Sequence, residues 1–244
     1  SSYGFGGGYS LSSDSNSELK TLCERLWFSY FKIPLDRLSD DWSDVLEALR
    51  KYFFSAKWFE IYDFIEFVAN NYPKDYRETN SKFMAACNSV LEMEMSACRF
   101  VDGLISEIAH EEEIRAIEKA IDHGERLVAK HLRRSLELLS DRSNPDYRNS
   151  IKESISAVER LTAHVTKEDK GTLGQLIKKL EEHFELHPAL KSAFGSMYGY
   201  TSDEGGIRHA LTDKKEIDFE DAKFMLVVCS AFINYVEGKL KDYE

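Results

Sequence analysis

From Leu19 onward, apolar residues recur three and four positions apart: Leu19, Leu22, Cys23, Leu26, Trp27 and Tyr30. That spacing lines one face of a 3.6-residue helix, and Pro34 ends it. The same period predicts helices over about 42–54 and 59–71, the second closed by Tyr72 and Pro73. A longer helix is expected over 81–110, with Phe83, Cys87, Val90, Leu91, Met95, Cys98, Val101, Leu104, Ile105 and Ile108 turned inward. Glu111, Glu112 and Glu113 suit the positive amino-terminal end of the next helix. Further helices are predicted over 128–139, over 148–162 with Asp146 as N-cap, over 173–184, and over 188–197 with Pro188 in the first turn. The last spans 219–240, with Asp218 as N-cap and Asp221 as the capping-box acid. No stretch alternates with period two, so the predicted fold is an all-α multi-helix bundle.

The pattern changes character along the chain. Residues 1–17 are rich in Gly, Ser and Tyr, a composition expected to form a flexible tail. Residues 18–110 form an aromatic-rich helical part, in which Trp27, Trp42, Trp58, Phe53, Phe59, Tyr62, Phe64 and Phe67 are expected to pack together. Residues 111–244 form a second helical domain.

Composition then narrows the function. A chain of 244 residues with 43% hydrophobic residues has ample material for a buried core. The formal charge of −11 argues against broad, salt-driven adhesion to nucleic acid, though it leaves room for a local basic site; no DNA and no membrane partner is expected. No apolar run approaches the roughly 20 residues needed to cross a bilayer, and the start of the chain has no signal-peptide pattern. A cytoplasmic location is the expectation. Cys23, Cys87, Cys98 and Cys229 are scattered without a C-x-x-C pair, so reduced core thiols are expected and no metal or cofactor is implied.

Three strings carry the candidate chemistry: NPDYRNSIKESISAVE at 144–159, YGYTSDEGGIRHAL at 198–211, and DFEDAKFMLVVCSAFINY at 218–235. Together with LWFSYF and WFEIYDFIEFVA earlier in the chain, they resemble the amino-terminal domain of AbiJ-type abortive-infection proteins, a branch of the HEPN superfamily. The resemblance implies a HEPN-like helical domain over 111–244 and a role in antiphage defence. It also implies metal-independent cleavage of RNA, with a homodimer or a defence-system protein as partner.

That chemistry asks for a histidine to move protons and a cation to stabilise charge gathering on the phosphate. His209 is the expected acid–base group, with Arg208 or Arg148 holding the phosphate. The family motif places an arginine with four to six residues between it and the histidine, whereas the residues four to seven before His209 are Gly205, Glu204, Asp203 and Ser202. The literal spacing occurs at Arg126 and His131, where about one match is expected by chance and a structural histidine is the plainer expectation. Glu153 and Glu159 are the expected helix partners of Arg148. The competing expectation is a non-catalytic helical module that senses a signal or assembles a complex.

Overall fold

In a computed structural model of the protein, the described residues are 10–11, 17–72, 77–167, 173–180, 184–202 and 217–241. They form ten α-helices and one two-stranded sheet, the predicted all-α class. The helices are α1 (Ser17–Arg25), α2 (Trp42–Ser55), α3 (Trp58–Asn71), α4 (Arg77–Met93), α5 (Glu111–His123), α6 (Arg126–Ser140), α7 (Tyr147–Thr166), α8 (Leu173–Leu180), α9 (Pro188–Ser202) and α10 (Phe219–Lys241). The chain divides into two compact units, Ser1–Met95 and Ser96–Glu244.

The first unit packs α1, its π-helical continuation Leu26–Tyr30, and helices α2 and α3 around Leu11, Leu22, Cys23, Leu26, Trp27 and Val45, with α4 against α3. Leu11 is 1% exposed and its N–H donates to the Asp40 carbonyl at 2.8 Å, so this residue of the expected tail is a core residue. Residues 1–9 and 12–16 lie outside the described set. Tyr30 sits among Phe31, Tyr52, Phe64 and Phe67, and its hydroxyl bonds both the Tyr52 hydroxyl at 2.8 Å and the Glu60 carbonyl at 3.0 Å. Trp58 departs from the expected aromatic core, since it is 62% exposed.

The predicted helix over 81–110 is corrected. α4 ends at Met93, and the chain then forms an antiparallel hairpin, β1 (Arg99–Val101) against β2 (Leu104–Ser106). Asp102 and Gly103 connect the strands with φ of 43° and 87°. Two positive φ values make the type I′ turn, the two-residue connection whose twist matches a hairpin, and an Asp-Gly pair supplies it at little steric cost. Arg142 from the α6–α7 loop donates to the Ile105 carbonyl at 2.9 Å, fixing β2 to the helical layer.

In the second unit α6 and α7 pair as an antiparallel hairpin of helices, and α10 packs on α5, α6 and α7. Caps set the ends: Asp146 accepts from Asn149 N–H at 3.0 Å, and Asp218 accepts from Asp221 N–H at 3.0 Å, as predicted. The core includes Ile117, Leu132, Leu136, Ile151, Ile155, Leu226 and Phe232. Between α6 and α7 it holds three fully buried serines, Ser135, Ser150 and Ser154. The Ser135 hydroxyl lies 2.7 Å from that of Ser154, 3.0 Å from that of Ser150 and 2.9 Å from the Ser150 carbonyl. All four cysteines are free thiols, and burial pushes Cys229 up to about 12 and Cys23 to about 11.

Candidate functional site

α6 is strongly two-faced. Val128, Ala129, Leu132, Leu136 and Leu139 are buried, while Arg126, Lys130, Arg133, Arg134 and Glu137 share the opposite side at helical spacing. His131 lies at the border between these faces, next to α7. Its Nδ1 is 2.6 Å from Glu153 Oε2, and the two side chains keep 36% and 31% of their exposure. A groove opens beside this pair, lined by Glu125, Arg126, Leu127, Lys130, Arg133 and Arg134 in addition to Glu137 and the pair itself.

The cations of the groove divide into two kinds. Arg133 Nε donates to Asp102 Oδ2 at 2.8 Å, reaching the hairpin turn, and Arg134 pairs with Glu137 at 2.9 Å. Arg126 and Lys130, one turn apart, engage no carboxylate among the described residues. At the groove's end Glu125 caps α6 by accepting from Leu127 N–H at 3.1 Å, and Arg160 from α7 approaches the same carboxylate at 3.5 Å. The arrangement therefore offers two unpaired cations beside an imidazole whose Nδ1 is held by a carboxylate. Such an imidazole keeps its Nε2 for proton exchange.

Behind the groove the hairpin turn is set on α5. Glu118 Oε1 accepts from Asp102 N–H at 3.2 Å. Burial, then repulsion from Asp102 and Asp122, pushes the Glu118 carboxyl above its ordinary range against that hydrogen bond. Burial raises Asp102 likewise, opposed by Arg133. A carboxyl raised by folding keeps its proton where the unfolded chain has lost it, so its contribution to stability falls as pH climbs from the ordinary carboxylate range through the raised value. Glu118→Gln is expected to raise the melting temperature at pH 7, with the difference from wild type closing below about pH 4. Thermal melts across that range check it, and a lowered melting temperature at pH 7 would show the charged hydrogen bond to matter more than the desolvation.

Of the sequence-predicted residues, Arg148 is half-buried on the first turn of α7 and is not among the groove's lining. Arg208 and His209 fall within 203–216, outside the described residues. Glu153, expected as a partner of Arg148, bonds His131 instead. His131 itself, expected as a structural histidine beside the apolar stripe, stands half-exposed at a charged groove. Only its spacing from Arg126 marked it in the sequence. Among the described residues no group of three or more His, Cys, Asp or Glu side chains is placed to hold a metal, and no helix is long and apolar enough to cross a membrane.

Residues 3–123 match the model of the family described as AbiJ N-terminal domain 4. The match takes in the LWFSYF and WFEIYDFIEFVA blocks and ends with α5, while the strings after 144 lie beyond it. It points to a protein associated with abortive-infection defence. No curated protein and no solved structure matches the chain.

Proposed function

We propose, with the AbiJ match as premise, that this is an abortive-infection effector of HEPN type that cuts RNA without a metal, and that His131 is its acid–base group. The observation that carries the reading is the His131–Glu153 pair set beside Arg126 and Lys130 in one groove. In the reaction, an imidazole nitrogen takes the proton of a ribose 2′-hydroxyl, whose oxygen attacks the adjacent phosphorus. The 5′-oxygen then leaves and receives a proton, and a cyclic phosphate remains on the other strand end. Arg126 and Lys130 face the charge that builds on the phosphate oxygens. Glu153 orients the ring, and RNA is the partner. As a homodimer the protein would present two such grooves.

A second reading, a non-catalytic sensing or assembly module, draws on the same pair, because His131 and Glu153 also tie α6 to α7. Purified protein incubated with total RNA and transfer RNA separates the two. His131→Ala is expected to lower cleavage by about a hundredfold or more. His209→Ala is expected to spare it. The reverse result would return the chemistry to His209, Arg208 and Arg148. Absence of cleavage by the wild type, with no growth arrest on expression, would establish the module.

A further inference from the structure

The first unit carries exposed aromatics where α2 gives way to α3. Phe54, in the last turn of α2, is 78% exposed, and Trp58, the first residue of α3, is 62% exposed. Both rings are held while exposed. The Arg50 guanidinium stands 6.0 Å from the centre of the Phe54 ring, and Trp58 is braced edge to face by Phe59 at 5.7 Å and Tyr62 at 5.9 Å. Lys57, between them, lies 5.6 Å from the Phe59 ring.

The charge here runs against the rest of the chain. Residues 48–59 include Arg50, Lys51 and Lys57 and no acid, within a protein of net charge −11. Glu47 lies one turn before Lys51, and the next acid, Glu60, is occupied because its Oε2 accepts from Lys57 N–H at 2.7 Å. A sheet of apolar surface on a flat-lying helix would suit a lipid interface. This corner is different: it presents two separate rings, Phe54 beside Arg50 and Trp58 next in sequence to Lys57, across the short Ala56–Lys57 connection.

We propose that the α2–α3 corner binds single-stranded RNA, with bases stacked on Phe54 and Trp58 and phosphates met by Arg50, Lys51 and Lys57. Every base offers a π-face to such a platform, and the cations follow the backbone, so binding is tolerant of sequence and sensitive to salt. The choice of RNA as the strand rests on the reading of the protein as an RNA-cutting effector; the platform itself does not depend on the α6 groove.

The test is fluorescence anisotropy of a labelled oligouridylate with the full chain, carried in a His131→Ala background to exclude cleavage. The Phe54→Ala, Trp58→Ala double variant should bind about tenfold more weakly or worse, since each stacked base contributes severalfold to affinity. Trp58→Tyr, which keeps a ring, should bind nearly as the parent. Lys51→Gln with Lys57→Gln should flatten the dependence of affinity on salt. Every arm carries His131→Ala, so a loss of binding is read apart from any loss of cleavage. Circular dichroism confirms that the variants stay folded. Unchanged affinity in the folded double variant overturns the proposal. So does binding to phosphatidylcholine–phosphatidylserine vesicles through the same residues without binding to oligouridylate, or tighter binding of the equivalent DNA strand.

Discussion

Phe232→Ala is expected to destabilise the second unit by about 3–5 kcal/mol, the usual cost of emptying a large aromatic site in a packed core. Phe232 is 2% exposed on α10, and its ring centre lies 3.8 Å from that of Phe194 on α9. Removing it takes away burial and leaves a hole beside Phe194 that rigid helices close only in part. Urea unfolding followed by helical circular dichroism should show a lower midpoint with an unchanged slope. Phe224 on the same helix is 57% exposed, and Phe224→Ala should stay within about 0.5 kcal/mol of wild type. Equal effects of the two substitutions would show that α10 is not seated on the core as described.

Ser135 gives the second large effect, and its sign depends on size. The Ser150 hydroxyl also donates to the Ser135 carbonyl at 2.9 Å, and the Ser154 hydroxyl to the Ser150 carbonyl at 3.1 Å. Both neighbours therefore keep a backbone acceptor when the Ser135 hydroxyl is removed, and Ser135→Ala should cost about 1 kcal/mol or less. Ser135→Leu must fit four carbons into a seam filled by hydroxyls, forcing α6 from α7. Overpacking costs about 1–3 kcal/mol and disrupted buried hydroxyls a comparable amount, so a loss of about 3 kcal/mol or more is expected. The same unfolding experiment checks both variants. A severe alanine variant would mean that the hydroxyl itself, rather than the narrowness of the seam, joins the helices.

Period and caps made most helices legible in the sequence. The α7 start at Asp146 and the α10 start at Asp218 follow from side chains that satisfy amino-terminal N–H groups, a local property. The hairpin was hidden because Phe100, Val101, Leu104, Ile105 and Ile108 also fit a helical stripe. The Asp102-Gly103 pair, able to take positive φ, was the discriminating signal. Trp58 looked like core because aromatic residues usually are, and nothing local reveals which side of α3 finds a neighbour. The His131–Glu153 pair joins residues 22 apart on two helices, so it exists only after α6 and α7 have packed. The serine seam was silent for the same reason: each serine alone reads as an ordinary polar helix residue.

The place of α5 carries a consequence for how this chain is to be divided. The family match closes at His123, yet Ile117, Ala120 and Ile121 of α5 belong to the core of the second unit, and Asn234 of α10 donates to the Ala116 carbonyl at 2.8 Å. The matched segment is thus not one that covers its own apolar surface. It ends on a helix that borrows its cover from residues a hundred positions later. In this chain α10 supplies the surface for that helix, so the joint is a structural coupling rather than a seam where modules can be exchanged freely.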